Sequence, residues 1–336
     1  MRSKLWIVPF SALLALPALL PGAARATSLL NVSLIDVPGA ALASTTPFNI
    51  NNSGQIAGTY EDPAVGFRVF TLTNGAYATV DPAGSVNGSS LVSLNNAGQV
   101  LGFSNTATPP NFGNYYLFSK GSFSAFPPPS ANIPAGASLS FYNDVGAIAG
   151  QTATSAFIAQ GGTVTTIVPP NGNSVSINTI NNSNSVVGGY FPTVPPSPTA
   201  NQEGFLLANG VFTPIFVPGS AFTEATGIND NGVVVGYYDQ APVTGANNIP
   251  ATPVVGFTYS NGVYTSYSIP GVTETELFAI NNSGQVVGYE SDTMGNGHGF
   301  VASVSGITAV PEPASLLLFA AGVLGLAGFR RSQWRS

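Results

Sequence analysis

The stretch Asn281-Asn282-Ser283-Gly284-Gln285-Val286-Val287-Gly288 is the clearest copy of the pattern that determines the fold. The pattern occurs six times, with its first asparagine at residue 51, 95, 143, 181, 229 or 281. A glycine stands seven residues after that asparagine in every copy: Gly58, Gly102, Gly150, Gly188, Gly236 and Gly288. Recurrence at a fixed offset is the sequence signature of a repeat protein.

The second half of each repeat opens with a small residue and an aromatic residue. These pairs are Gly66-Phe67, Ala156-Phe157, Gly204-Phe205, Gly256-Phe257 and Gly299-Phe300, with Tyr115-Tyr116 in the second repeat. A turn such as Asn261-Gly262 and an alternating run follow. Because Asn and Gly readily adopt the positive φ of tight hairpin turns, each repeat predicts two hairpins, with the phenylalanine in the core.

Four short strands in about 45 residues are typical of a β-propeller blade. We therefore predict an all-β fold, a six-bladed β-propeller over residues 27–310, with an open β-solenoid as the alternative. Residues 29–39 resemble the last strand of a blade that has lost its other strands. This strand is predicted to complete the final blade and close the ring, which would cover two exposed strand edges.

The composition excludes several classes of site. The chain has no cysteine, so it has no disulfide, thiolate metal site or cysteine nucleophile. Residues 27–310 hold 13 of the 14 acidic residues but only Arg68 and Lys120 as bases, a net charge of −11. Nucleic acid is excluded as a partner because its phosphates require basic side chains.

The first 26 residues have the three parts of a signal peptide. Arg2 and Lys4 precede an apolar run, and Ala24-Arg25-Ala26 forms a small-residue cleavage site that places the mature start near Thr27. An N-terminal membrane helix is the alternative. The sequence thus predicts export through residues 1–26.

The other end also carries three ordered parts. Pro311-Glu312-Pro313 precedes an apolar run at residues 314–329, which Arg330 and Arg331 end within a basic tail, residues 330–336. The run predicts a transmembrane helix, although it is shorter than the ~20 residues of a comfortable span. This topology would place Arg330 and Arg331 on the cytoplasmic side of the membrane and residues 27–310 outside the cytoplasm.

Residues 311–336 resemble the PEP-CTERM sorting signal, which substrates of bacterial exosortases carry in Gram-negative species that make exopolysaccharide. The resemblance implies transient anchoring in the inner membrane, processing by an exosortase near Pro311-Glu312-Pro313, and transfer to the cell surface or extracellular matrix. A plain C-terminal anchor would share the topology without the cleavage.

The repeat resembles the HAF extracellular repeat, named for a His-Ala-Phe tripeptide. Only His298-Gly299-Phe300 keeps the histidine here, whereas the other copies begin with Val65, Ser155, Glu203 or Val255. This resemblance implies an extracellular location and a repeat architecture, and it implies no activity.

Few residues could support catalysis. His298 is the sole histidine, which excludes any site with two imidazoles, and we interpret it as a residue set by its place in the repeat. Paired acids could in principle hydrolyse glycosides. The candidate pairs are Glu61 with Asp62, Glu274 with Glu276, and Glu290 with Asp292; solvated carboxylates at blade rims are the favoured interpretation.

No metal or cofactor is predicted. The turn Asn229-Asp230-Asn231-Gly232 has oxygen ligands suited to calcium, but Gln240 occupies the position of the closing glutamate. Turn geometry alone accounts for those residues, and no phosphate-binding loop is present.

The sequence favours a non-enzymatic envelope or matrix protein that contributes to adhesion or biofilm structure among exopolysaccharide. Tyr60, Tyr237 and Tyr238 are candidate sugar-stacking residues, although core packing also explains them. The alternative is a secreted carbohydrate-active enzyme that uses rim carboxylates, an analogy that rests on the fold alone.

Overall fold

In this computed structural model the described residues are 27–83, 85, 88–104, 114–127, 131–153, 155–170, 172–192, 202–239 and 253–305. They form 25 β-strands and no α-helix. Within these ranges no helical segment has the length and hydropathy that a membrane span requires. The predicted signal peptide at 1–26 and the predicted sorting segment at 311–336, with its helix at 314–329, lie outside the described residues.

Four antiparallel sheets contain four strands each. In chain order their strands are β3 (Thr46–Ile50), β4 (Ile56–Asp62), β5 (Gly66–Thr73) and β6 (Ala76–Thr79); β7 (Ser89–Leu94), β8 (Val100–Ser104), β9 (Asn114–Ser119) and β10 (Ser122–Ala125); β11 (Ser138–Tyr142), β12 (Ile148–Gln151), β13 (Ala156–Gln160) and β14 (Thr163–Ile167); β15 (Gly172–Ile180), β16 (Val186–Pro192), β17 (Glu203–Ala208) and β18 (Val211–Ile215).

A fifth sheet has nine strands. It contains β1 (Thr27–Ser28), β2 (Leu30–Ile35), β19 (Thr223–Ile228), β20 (Val234–Asp239), β21 (Val254–Ser260), β22 (Val263–Ser268), β23 (Glu274–Ile280), β24 (Gln285–Ser291) and β25 (Gly297–Ser303).

The predicted count of six separate blades is therefore wrong. The described residues form four separate four-stranded blades, and the last two repeats share the nine-stranded sheet. The two repeats join because β21 pairs in parallel with β23 at Val254 and Glu274, where the amide of Val254 donates to the carbonyl of Thr273 at 3.2 Å.

The first strand of every repeat contacts the first strand of the next. These inner strands are β3, β7, β11, β15, β19 and β23, and β23 contacts β3 in turn. They enclose a central channel, so the arrangement is a β-propeller and the open solenoid is wrong. The predicted closure by the N-terminal strand is confirmed, because β2 pairs antiparallel with β25, for example Leu34 with Phe300.

The first asparagine of each repeat connects one turn to the next. In the fifth repeat Asn229 Oδ1 accepts the backbone N–H groups of Asn231 and Val233 at 3.1 and 3.0 Å, which closes its own turn. Its Nδ2 donates to the carbonyl of Asn281, the first asparagine of the next repeat, at 3.0 Å. Asn281 Nδ2 in turn donates to the carbonyl of Asn51 at 3.1 Å, across 230 residues.

The repeat glycine lies on the second strand of each repeat, opposite a β-bulge in the inner strand. A Cβ added to Gly188, Gly236 or Gly288 would lie 1.9 Å from a carbonyl oxygen of that inner strand. Opposite this glycine, one residue of the inner strand has no partner in the pairing register. These bulge residues are Phe48, Val92, Ser140, Asn178, Thr226 and Phe278. Glycine is needed because no side chain fits between the two strands.

The aromatic residue opposite the glycine is the core of each repeat. Phe157, Phe205, Phe257 and Phe300 are fully buried as predicted. The prediction for Phe67 is wrong, because Phe67 is 55% exposed and Phe70 is the residue that faces Gly58. Strands β4 and β5 continue further before their connecting turn than in the other repeats, which moves the sequence dipeptide out of the core.

Replacing Asn229 by alanine would remove the acceptor for two backbone N–H groups and the donor to the Asn281 carbonyl. Since Asn229 is buried, we expect the free energy of unfolding to fall by about 2–4 kcal/mol. Urea unfolding followed by circular dichroism measures this. The control is Asn114→Ala, an exposed asparagine on β9, which should change stability by less than about 0.5 kcal/mol. Equal stabilities of the two variants would contradict the role of the asparagine connection.

The closing strand β2 offers a second test. Ile35 is 1% exposed and packs with Ile56, Phe70 and Val287, whereas its neighbour Leu34 is 55% exposed. We expect Ile35→Ala to lower the free energy of unfolding by about 2–4 kcal/mol and Leu34→Ala by less than about 1 kcal/mol. If denaturant unfolding shows no difference between the two variants, β2 does not close the ring in solution.

Candidate functional site

The two ends of the channel differ in chemistry. At the turn end, the second residues of the six repeats form a belt of amides and carboxylates: Asn52, Asn96, Asp144, Asn182, Asp230 and Asn282. Asp144 Oδ2 accepts from the amides of Asn96 and Asn182, both at 2.8 Å, and the backbone N–H of Asp230 donates to Asn282 at 2.9 Å. The cavity inside this belt is about 60 Å³, well below the ~300–1,000 Å³ of small-molecule sites.

The turn Asn229-Asp230-Asn231-Gly232, whose oxygen atoms are candidate calcium ligands by sequence, lies in this belt. Asn229 Oδ1 accepts backbone N–H groups of its own turn, and Asp230 Oδ1 accepts the backbone N–H of Asn182 at 2.9 Å. Across the described ranges, no group of three or more acidic or histidine side chains is arranged to hold a metal ion. The oxygen atoms of the turn therefore serve the connection between repeats.

The opposite end opens into a cavity of about 420 Å³, which we call the channel mouth. One bulge residue from each inner strand lines it. Around the ring, Phe278, Phe48 and Val92 form an apolar arc, and Ser140, Asn178 and Thr226 form a polar arc. The bulge is the reason for this lining, since it presents the extra residue of each inner strand to the channel.

The apolar arc is built from aromatic rings in contact. Phe48 and Phe278 have ring centroids 5.4 Å apart, and Tyr237 meets Phe278 edge-on at 6.4 Å. Phe222 lies behind Tyr237 at 5.8 Å. Phe48 is 38% exposed, so an aromatic face is available to a ligand.

The polar arc holds a buried carboxyl group. Asn178 Nδ2 donates to Glu224 Oε1, and Gln202 Nε2 donates to Glu224 Oε2. The space for this group exists because residue 189 is glycine: a Cβ there would lie 2.6 Å from Glu224 Oε2. Burial raises the pKa of Glu224 from 4.5 to about 7, against the lowering effect of the two amides.

A second carboxyl group lies on the neighbouring repeat. Glu276 occupies the same repeat position as Glu224, five residues before the first asparagine. Burial, and then the charge of Glu274, raise the pKa of Glu276 to about 7. Burial raises the pKa of Tyr237, and the charges of Glu276 and then Glu224 raise it further. Tyr237 therefore lies close to both acids.

None of the six candidate acids lines the channel mouth, although Glu274 and Glu276 remain coupled by charge. Asp62 pairs with Arg68 at 3.2 Å, and Glu61 is exposed on β4. Asp292 is held within its own turn by Asn296, whose backbone N–H and side-chain amide both donate to it at 3.0 Å. Of the six acids, only Glu276 acts on the channel mouth, through Tyr237.

The remaining candidates have separate locations. His298 Nδ1 lies 3.1 Å from Asp36 Oδ2, an exposed contact that joins β25 to the end of β2. Tyr60 and Tyr238 are buried and bond to Thr79 and Ser266 at 3.0 and 2.9 Å. Tyr237 alone of the three predicted tyrosines borders the channel mouth.

Sequence reasoning missed Glu224, Asn178 and Gln202. A usable signal was present for the glutamate, because Glu224 and Glu276 share one offset in adjacent repeats where the other four repeats have threonine or serine. No comparable signal marks Asn178, because its repeat position holds five different residue types around the ring: Phe, Val, Ser, Asn and Thr.

Comparison with known proteins gives one sequence match. Residues 309–332 match the PEP-CTERM protein-sorting motif. This motif implies processing by an exosortase and export to a cell-surface or extracellular destination in Gram-negative bacteria. No curated protein matches the chain at a significant level.

The chain is also similar to solved β-propellers. These include the propeller domain of the Trilobed protease from Pyrococcus furiosus (8% identity, covering 78% of this chain and 94% of that chain, TM-score 0.42). AofleA from Arthrobotrys oligospora has 12% identity, coverages of 83% and 90%, and a TM-score of 0.48. A gluconolactonase from Xanthomonas campestris has 11% identity, coverages of 84% and 99%, and a TM-score of 0.42. Similarities at this level transfer no function to the present chain.

Glu224 makes the stability of the protein depend on pH. Because its pKa is raised in the folded state, the folded protein binds the proton more tightly than the unfolded chain does. The stabilisation is complete below about pH 4.5 and is lost as the pH rises through about 7. We expect Glu224→Gln to remove about 2–3 kcal/mol of the difference in unfolding free energy between about pH 5 and about pH 8.

Denaturant unfolding at the two pH values checks this. Glu61→Gln is the control, since it neutralises an exposed acid at the end of β4 and should leave the wild-type difference unchanged. A Glu224→Gln variant that loses as much stability at high pH as the wild type would show that Glu224 is not the titrating group.

Proposed function

We propose that this protein is an exported cell-envelope or extracellular-matrix component that binds polysaccharide at the channel mouth without cleaving it. The observation that carries the proposal is the division of the mouth into an aromatic arc and a polar arc. The PEP-CTERM motif supports an extracellular destination, where such a ligand is available.

A sugar ring matches the two arcs. One face of the ring presents C–H groups, which pack on aromatic carbon, and its edge carries hydroxyl groups, which need both donors and acceptors. Phe48 and Phe278 offer the apolar surface, and Ser140, Asn178 and Thr226 offer hydrogen-bonding groups. The volume of about 420 Å³ falls within the usual range of ~300–1,000 Å³ for ligand sites.

The electrostatics support binding over hydrolysis. A glycosidase needs two acids whose environments push their pKa values apart, so that one donates a proton while the other is ionised. Glu224 and Glu276 both have their pKa raised to about 7, mainly by burial. Two acids shifted in the same direction do not have separate acid and base roles, which favours the non-enzymatic function over the carbohydrate-active alternative.

The proposal includes the route to the matrix. The signal peptide directs export, the segment at 314–329 anchors the chain transiently in the inner membrane, and an exosortase acts near Pro311-Glu312-Pro313. The HAF-like repeats form the displayed body. Released protein then associates with exopolysaccharide and contributes to adhesion or biofilm structure.

The test is retention of the exported protein on native exopolysaccharide purified from the producing bacterium, with a glycan array alongside. We expect Phe48→Ala to lower the affinity at least about tenfold, as loss of an aromatic anchor does at binding sites. Phe123→Ala on β10 is the control, because Phe123 is 43% exposed and lies on the outermost strand of its sheet.

Absence of retention on any native exopolymer, or equal retention of the Phe48 and Phe123 variants, would contradict the proposed site. The same assay monitors release of reducing ends. Release that stops in Glu224→Gln would replace the binding function with the enzymatic alternative.

A further inference from the structure

We infer that the polysaccharide bound at the channel mouth carries free amino groups, so that a protonated hexosamine is the preferred sugar. This inference rests on the proposed function and narrows it to one chemical class of ligand. It follows from the charges around the mouth, the way Glu224 is built into the wall, and the aromatic surface beside it.

The mouth has the buried carboxyl group of Glu224, with Glu276 close to Tyr237 on the next repeat, and no available cation among the described residues. The described ranges contain two basic residues apart from His298. Arg68 is engaged by Asp62 at 3.2 Å and by Asp81 at 2.9 Å. Lys120 lies in the hairpin turn between β9 and β10, at the asparagine-turn end, because Phe118 pairs with Val100 just after the Asn95 turn. A sugar that bears carboxylate or sulfate would therefore meet only negative or neutral groups.

Glu224 is held as a preformed recognition group. It is 8% exposed, and the amides of Asn178 and Gln202 fix both of its oxygens over Gly189. A buried carboxylate without a cationic partner costs stability, because it loses its hydration without gaining a counter-charge. A ligand ammonium group would supply that counter-charge at the point where the protein has none.

Glu276 adds a second acceptor on the next repeat. Its carboxyl group is half-buried and has no hydrogen-bond partner among the described residues. Tyr237 lies near both acids and packs against Phe278. An amino group on a ring that rests on Phe48 and Phe278 would thus reach an aromatic and acidic surface, where ammonium ions bind by charge and by cation–π attraction.

A metal ion is a poorer occupant of the same place. The described part of the chain has no group of three or more acidic or histidine side chains that could hold one. The aromatic arc would also contribute nothing to a hydrated metal ion. An amino sugar uses both halves of the mouth.

The experiment compares three oligosaccharides of equal length by titration calorimetry near pH 6.5 with the exported protein. They are a glucosamine oligomer, its N-acetylated form and a cello-oligomer, which has a hydroxyl in place of the amine. We expect the glucosamine oligomer to bind at least about tenfold more tightly than either neutral oligomer, the gain of one good charged contact.

Variants locate the effect. In Glu224→Gln and in Glu276→Gln the glucosamine oligomer should bind no more tightly than the neutral oligomers bind to the same variant, so that the preference is lost. Glu61→Gln, which neutralises an exposed acid on β4, is the charge-matched control and should keep the preference. Phe48→Ala should weaken all three oligomers alike.

Each other outcome has one meaning. Equal binding of all three oligomers overturns the inference and leaves polysaccharide binding intact. Equal binding of an oligolysine of the same charge also overturns it, because charge alone would then explain the affinity. Retention on native exopolysaccharide with no binding of the glucosamine oligomer overturns it as well, whereas no retention on either removes the proposed function itself.

Discussion

The first asparagine of each repeat is the contact on which the rest of the structure depends. Its Oδ1 closes its own turn, and in five repeats its Nδ2 donates to a backbone carbonyl of the next turn. In the second repeat Asn96 and Asp144 make the connection instead, at 2.8 Å. Because these groups are buried, each bond left unmade would cost about 1–3 kcal/mol. The turns must therefore stand next to one another, which fixes the inner strands around a channel.

The functional end of the channel follows from the glycine opposite each bulge. Because residues 58, 188, 236 and 288 are glycines, the inner strand approaches the second strand closely at these positions. The inner strand carries one extra residue there. That residue lines the mouth in every repeat. The same backbone geometry thus presents six positions whose side chains are free to vary, because the core residues of the repeat lie elsewhere. Two of these positions hold Phe48 and Phe278 on the apolar arc. Two others hold Asn178 and Thr226 on the polar arc.

The acids of the body have two different physical roles. Asp144 and Asp230 accept amide hydrogen bonds in the turn belt and hold neighbouring repeats together. At the other end Glu224 is buried and Glu276 is half-buried, both without a cation, so their pKa values rise towards neutrality. Groups of the second kind reduce the stability of the folded protein at alkaline pH. Their presence in two adjacent repeats is understandable if a ligand supplies the missing positive charge.

The sequence alone determined the repeat, the hairpins, the closing strand and the sorting motif, because each depends on local residue types at fixed spacing. It also limited catalysis, since one histidine and no cysteine are matters of composition. Only the tertiary structure decided that two repeats share one sheet, that Phe70 replaces Phe67 in the core, and that Asn178, Gln202 and Glu224 meet. These residues are 22 to 46 positions apart in the chain. No sequence spacing encodes their contact, which exists because the closed ring brings the inner strands of neighbouring repeats together.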